Sequence, residues 1–346
     1  MELLGLLSSS EMRKLKKIFF PCSSGWPHSF FCRLHLISVF SRDPTVAFTA
    51  CQWMTEVGLC LGFHQLSSFK YSQRPGGSDV SLTETIATST GEMAPYGPKY
   101  NLDGFKWFAS ATDGEVSMAL ARTGTLKQAS HGLSLFLVPL RLPLFPSPGS
   151  PTPSSTSNKI FVHRLKKKIG THVLPTAELS LQGAEGYLLG DLGKGTKNIA
   201  PVLNITRIWS STVSLGTLRK CLGTATSYAI VRRIGSGQTL LKDAPIHAAQ
   251  LAEINLLYRA LTHFVFGVIA LLGRVECDEK TQESVQRRLR VLTPVVKAYT
   301  AEKACGGMEE AMVSLGGAGY MEENGFGRSI RDALVEKFVP YLVSEF

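Results

Sequence analysis

Two glycine-rich segments and one basic run carry most of the chemistry this chain could do. Gly76-Gly77-Ser78-Asp79 sets bare backbone beside a hydroxyl and a carboxylate, and glycine lets a main chain approach a ligand closely. Gly316-Gly317-Ala318-Gly319 follows a long helical pattern. Glycine there ends the helix and leaves backbone N–H groups exposed for a ligand. Arg164-Leu165-Lys166-Lys167-Lys168 could meet phosphate, but lysine also protects a sheet edge from pairing, and a solvated strand edge is the preferred reading. His163 and His172 flank that run without metal-ligand spacing. Neither a phosphate-binding GxxxxGK nor a GxGxxG fingerprint is present, which disfavours a nicotinamide enzyme of the Rossmann type.

The elements that must position these residues fall into two kinds. Residues 41–195 read as short strands with turn punctuation: 117–122 and 133–138 are apolar and strand-compatible, 101–104 is a turn, and 161–171 and 177–181 return to strand character. Residues 141–158 are rich in Pro and Ser and read as a surface loop. From 196 to 337 the apolar spacing becomes helical. Leu251, Ile254, Leu257, Tyr258 and Leu261 form one stripe, and Gly306-Gly307 marks a break or a close contact in a third helix. A fourth helix is expected from about Arg328. The predicted class is α+β: a β-barrel or sandwich followed by an antiparallel four-helix bundle. Residues 1–40 read as a divergent leader and 338–346 as a divergent tail.

Length and composition suit two or three soluble globular domains: 346 residues, 44% hydrophobic and 18% charged. A net charge of +10 favours anionic partners without choosing among them. Seven scattered cysteines with no CxxC pair read as reduced thiols of an intracellular protein. No continuous apolar run is expected to span a membrane, the longest candidate being 264–273.

Four segments in order resemble the acyl-CoA dehydrogenase family. Gln52-Trp53-Met54-Thr55-Glu56 and Arg74-Pro75-Gly76-Gly77-Ser78-Asp79-Val80, joined, would read as the family's flavin-contacting signature. Phe105-Lys106-Trp107-Phe108-Ala109-Ser110, Asn204-Ile205-Thr206-Arg207, and Leu315-Gly316-Gly317-Ala318-Gly319-Tyr320 with Ile330-Arg331-Asp332-Ala333 complete the set. The wording Lys-Trp-Phe-x-Ser is most similar to the branch containing the DNA-alkylation-response flavoprotein. The resemblance implies FAD as cofactor and α,β-dehydrogenation of acyl-CoA thioesters. It gives Met54, Thr55, Gly77, Ser78, Phe108, Ser110, Arg233, Gly316 and Gly317 to the flavin, and Ser78 and Arg207 to the acyl-CoA. It also implies a homodimer or homotetramer, since the Gly316-Gly317 loop would serve a neighbouring subunit's FAD. The electron acceptor stays open, as does the choice among mitochondrial, peroxisomal and cytoplasmic locations.

Three departures qualify that resemblance. The family's N-terminal helical domain is not matched. No Glu follows Arg331-Asp332-Ala333 in the family's aromatic-Glu-Gly-Thr context, and 204–232 contains no Asp or Glu. No catalytic residue is therefore assigned and impaired dehydrogenation is expected, since a general base contributes roughly 10²–10⁴-fold. Residues 57–73, seventeen in number, split the flavin motif. They read as a retained in-frame intron or a looped-out insertion, with 338–346 as read-through of another. The rival readings are a nucleic-acid-associated flavoprotein, suggested by the charge and the branch resemblance, and an inactive product of a defective gene model.

Overall fold

The computed structural model describes residues 50–53, 80–94, 96–143, 156–277 and 283–338. The expected leader, the insert 57–73 and residues 339–346 lie outside them. The chain divides into two compact units. Of the described residues, one unit holds those within 22–167 and 172–200, and the other holds those within 168–171 and 201–338.

The first unit is built on a seven-stranded sheet. Its strands are β1 (Ala50–Trp53), β2 (Ile86–Ala94), β3 (Gly97–Ser110), β4 (Val116–Arg122), β5 (Leu133–Pro139), β8 (Ile160–Leu165) and β9 (Thr176–Leu189). One edge of β4 takes β1 in parallel over Val116–Ala119 and meets β2 at Arg122. From β2 the pairing runs antiparallel to β3, then β9, then β5, and β5 returns to β4. The path thus closes on itself, with β8 added on β9. A short ladder of β6 (Arg141–Leu142) and β7 (Thr156–Ser157) lies within the expected Pro- and Ser-rich loop.

Burial explains this order. Every residue of β5 is buried, as its nearly unbroken apolar run Leu-Ser-Leu-Phe-Leu-Val-Pro requires. Leu102, Phe136, Val138, Leu179 and Leu181 form the centre of the core, and Tyr100 meets Phe136 edge to face at 5.1 Å. β9 is far longer than the expected 177–181, because Gly183 and Gly186 extend the strand instead of ending it. β8 stops at Leu165, short of the expected 171.

The second unit is helical. Helix α1 (Gly195–Val231) enters it at residue 201. It is followed by the small hairpin β10 (Arg233–Ile234) and β11 (Thr239–Leu240), then α2 (Pro245–Cys277), α3 (Glu283–Val313) and α4 (Phe326–Leu334). Three of these helices are long and the fourth has nine residues, shorter than the bundle helix expected there. The predicted stripe of α2 faces the core through Ile254 and Leu261, continued by Val265 and Val268. These pack with Leu215, Leu218 and Leu222 of α1 and with Met308 and Ala311 of α3.

One expectation is corrected here. By length and composition α2 contains an 18-residue window apolar enough to cross a membrane, because scattered polar residues within it do not lower its mean hydropathy enough. Helix α3 is also continuous through Gly306-Gly307. A Cβ on Gly307 would lie 2.9 Å from Leu218 Cδ1, so that glycine marks a close helix contact and not a break.

Candidate functional site

The flavin-motif residues Met54, Thr55, Gly77 and Ser78 lie outside the described residues. The remaining candidates fall into two groups, one in each unit.

In the β unit, Phe108 and Ser110 are placed by a bulge. Lys106 pairs with Leu179 and Ala109 with Ala177, so three steps on β3 oppose two on β9. The extra residue lets Lys106 and Ala109 both point into the core, while Phe108 turns out and is 42% exposed. Ser110 lies two residues on, and its Oγ is 3.0 Å from Thr176 Oγ1, with either hydroxyl able to donate. An exposed aromatic face beside two linked hydroxyls is a donor set that suits a flat heteroaromatic ring.

Beside them, Lys166 holds its Nζ 3.2 Å from the centre of the Trp107 ring and 5.9 Å from that of Phe108. It also donates to Glu178 Oε1 at 2.6 Å, as Arg164 Nε does at 2.7 Å. Burial alone would raise the Glu178 carboxyl, but these two cations outweigh it and hold the group below its usual range. The expectation of a solvated basic edge therefore fails at Lys166, whose side chain is 12% exposed. It is retained by an aromatic ring and a carboxylate that the sequence places far away.

In the helical unit, Gly316 and Gly317 open the short 3-10 turn Gly316–Tyr320 after α3. Two physical constraints separate the glycines. Gly316 has φ +63°, a left-handed backbone that favours glycine. Gly319 is packed so tightly that a Cβ would fall 2.0 Å from Met312 O. Gly317 has neither constraint: no atom lies within 4 Å of where its Cβ would be. A helix stop accounts for Gly316 and packing for Gly319, which leaves Gly317 as bare backbone facing open space. Arg233 is exposed on the β10–β11 hairpin, where its Nη1 donates to Gly237 O at 3.1 Å.

Arg207 lies on α1 and is buried, and among the described residues its Nη2 has no hydrogen-bond partner. Burial pushes its guanidinium pKa down. Ser210, one turn further on, donates to Glu336 Oε2. Lys297 of α3 is also buried, with Nζ 3.9 Å from the same Glu336 oxygen. Burial lowers the Lys297 pKa most, Glu336 opposes this, and Arg207 adds to the lowering. Ser210, Lys297 and Glu336 did not stand out in the sequence. The available signal was Lys297 itself, a lone cation on the buried stripe Leu289, Thr293, Val296, Thr300 and Ala304.

The same unit has a cavity of about 310 Å³ lined by Glu253, Glu302 and Glu310 with Lys303. Its carboxylates would repel a phosphate-bearing ligand. Among the described residues no cluster of His, Cys, Asp and Glu could hold a metal.

The family model described as "Acyl-CoA dehydrogenase, C-terminal domain" matches residues 193–339. Acyl-CoA dehydrogenase family member 11 of Caenorhabditis elegans is 37% identical over 300 residues, covering 85% of this chain and 43% of that protein. The putative acyl-CoA dehydrogenase AidB of Escherichia coli strain K12 is 30% identical over 261 residues, covering 75% of this chain and 43% of that protein. The chain thus spans less than half the length of either relative. The crystal structure of Caenorhabditis elegans ACDH-11 in complex with C11-CoA superposes with a TM-score of 0.73 at 32% identity, over 96% of this chain and 52% of that one. By sequence and by fold, the chain belongs to the acyl-CoA dehydrogenase family.

Proposed function

We propose that this chain is an FAD-binding, acyl-CoA dehydrogenase-like protein that takes CoA thioesters, with α,β-dehydrogenation impaired because no carboxylate stands where the family's base does. The observation that carries the reading is the pairing of the bulge-exposed Phe108 with the Ser110–Thr176 hydroxyl pair on one strand end. Phe108 would lie against the flavin ring, and the hydroxyls would donate to its polar edge. Gly317, with no steric or conformational reason of its own to be glycine, supports a main-chain approach by the same cofactor or a neighbouring subunit's copy. Arg233 would meet the cofactor's phosphates and Arg207 the acyl-CoA, as the family resemblance implies. When bound, FAD would supply the hydride acceptor, while the protein would hold the thioester and exclude water.

The relative solved with C11-CoA supports a CoA thioester as the ligand class. A homodimer or homotetramer is proposed on the same family grounds. The strip at 164–168 is a poor candidate for nucleic-acid phosphates, because Arg164 and Lys166 are both turned to Glu178. Reconstitution with FAD tests the proposal. The folded protein should retain the flavin through gel filtration, and an acyl-CoA should perturb the flavin spectrum. Folded protein that emerges colourless would refute the reading.

A further inference from the structure

A cation is tied to the hydroxyl pair Ser110–Thr176 through the main chain. Lys166 follows directly after β8, and its backbone N–H donates to Thr176 O at 2.8 Å. Thr176 is the residue whose hydroxyl lies 3.0 Å from Ser110 Oγ. The Lys166 ammonium reaches both the Trp107 ring and Glu178, and it is 5.9 Å from the centre of the exposed Phe108 ring. Its side chain is largely withdrawn from water, whereas that of Arg164 is 66% exposed, so salt and solvent screen the Lys166 charge less. Both cations share Glu178, which sets two positive charges against one negative charge beside Phe108. Stability alone gives little reason for this arrangement, since apolar residues of similar volume often replace a sequestered ion pair at no cost.

We infer that Lys166 is a redox-tuning residue, whose positive charge favours the reduced form of a flavin held at Phe108, Ser110 and Thr176, and that Glu178 moderates that charge. This role rests on the flavin site proposed above. Hydride transfer delivers two electrons and one proton, so the acceptor gains one negative charge. A fixed, poorly screened cation lowers the free energy of that added charge, and a neighbouring carboxylate raises it. Lys166 needs no contact with the thioester to act in this way.

The midpoint potential of the FAD-reconstituted full chain tests this role, read against a reference dye with xanthine and xanthine oxidase as the electron source and no acyl-CoA present. Lys166→Met should disfavour reduction by about tenfold in the equilibrium constant, a fall of about 30 mV for a two-electron couple. Glu178→Gln should move the potential the other way. Lys166→Arg, which keeps the charge, should stay near wild type. Opposite shifts from the two partners of one ion pair separate electrostatics from structure, because both variants lose the same contact. Lys166→Gln, which keeps a donor toward Glu178, should show the same fall as Lys166→Met and replaces it if that variant does not retain flavin. A wild-type chain that folds without taking up flavin would refute the proposed site, and this role with it. Flavin-loaded Lys166→Met or Lys166→Gln with an unchanged or raised potential, or Glu178→Gln with a lowered one, would overturn the tuning role and leave the flavin site standing.

Discussion

Lys166 stands with its ammonium 3.2 Å above the centre of the Trp107 ring, although the two residues are fifty-nine positions apart in the chain. The contact is held by Glu178, which both Lys166 and Arg164 approach. Glu178→Gln would leave Lys166 half-sequestered against an apolar ring without its counter-charge. Because water screens this part of the surface, the expected loss is about 1–2 kcal/mol of unfolding free energy, and not the larger cost of a fully buried pair. Urea unfolding at neutral pH measures it. The Glu178 carboxyl is held below its usual range, so this contribution is present at neutral pH and lost as pH falls through the folded value.

Gly170 and Gly306 should respond to alanine with opposite signs. A Cβ on Gly170 would fall 2.2 Å from Arg331 O, and the Thr171 N–H next to it donates to Asp332 Oδ1 at 2.6 Å. That backbone contact cannot move aside cheaply, so Gly170→Ala should cost about 1–3 kcal/mol. Gly306 is exposed in the middle of α3 with nothing near its Cβ position. Gly306→Ala should stabilise by about 0.5–1 kcal/mol through helix propensity. Paired urea titrations decide both.

Glu276, near the C-terminal end of α2, gives stability a pH dependence. Burial pushes its carboxyl from an ordinary 4.5 up to about 7. Between those values the folded state holds a proton that the unfolded state has released, so stability falls as pH rises through this window. Glu276→Gln should flatten that slope and stabilise the protein most at pH values above the window. Unfolding midpoints on either side of neutrality provide the check, and identical slopes in wild type and variant would count against it.

Ser110→Ala should remove one of the two hydroxyls proposed to meet the flavin while leaving β3 intact. Its partner Thr176 Oγ1 would lose a neighbour at 3.0 Å. The expected result is about a five- to tenfold loss of FAD affinity, the size of one neutral hydrogen bond, with an unchanged melting temperature within a degree or two of wild type. Fluorescence titration with FAD supplies the affinity, and a large drop in melting temperature would assign the hydroxyl pair to the fold instead.

The sequence made visible what depends on local pattern. The apolar run 133–138 became β5 and the stripe on α2 faces the core, because strand alternation and helical period are written in neighbouring residues. What it concealed depends on distant partners. Phe108 is exposed only because β9 supplies two residues against three of β3. Lys166 looked like one lysine of a solvated run until Trp107 and Glu178 were folded beside it. Glu336 and Ser210 are 126 positions apart and share no motif. The glycines of 316–319 looked equivalent in the sequence, yet a left-handed backbone accounts for Gly316 and a packed carbonyl for Gly319, while Gly317 has neither constraint.

The most direct test of the account is the visible spectrum of the purified, FAD-reconstituted chain before and after addition of an acyl-CoA. The account predicts a yellow, folded protein whose flavin band persists through gel filtration and shifts, with little bleaching, on adding the thioester. A folded protein that binds no flavin would contradict it.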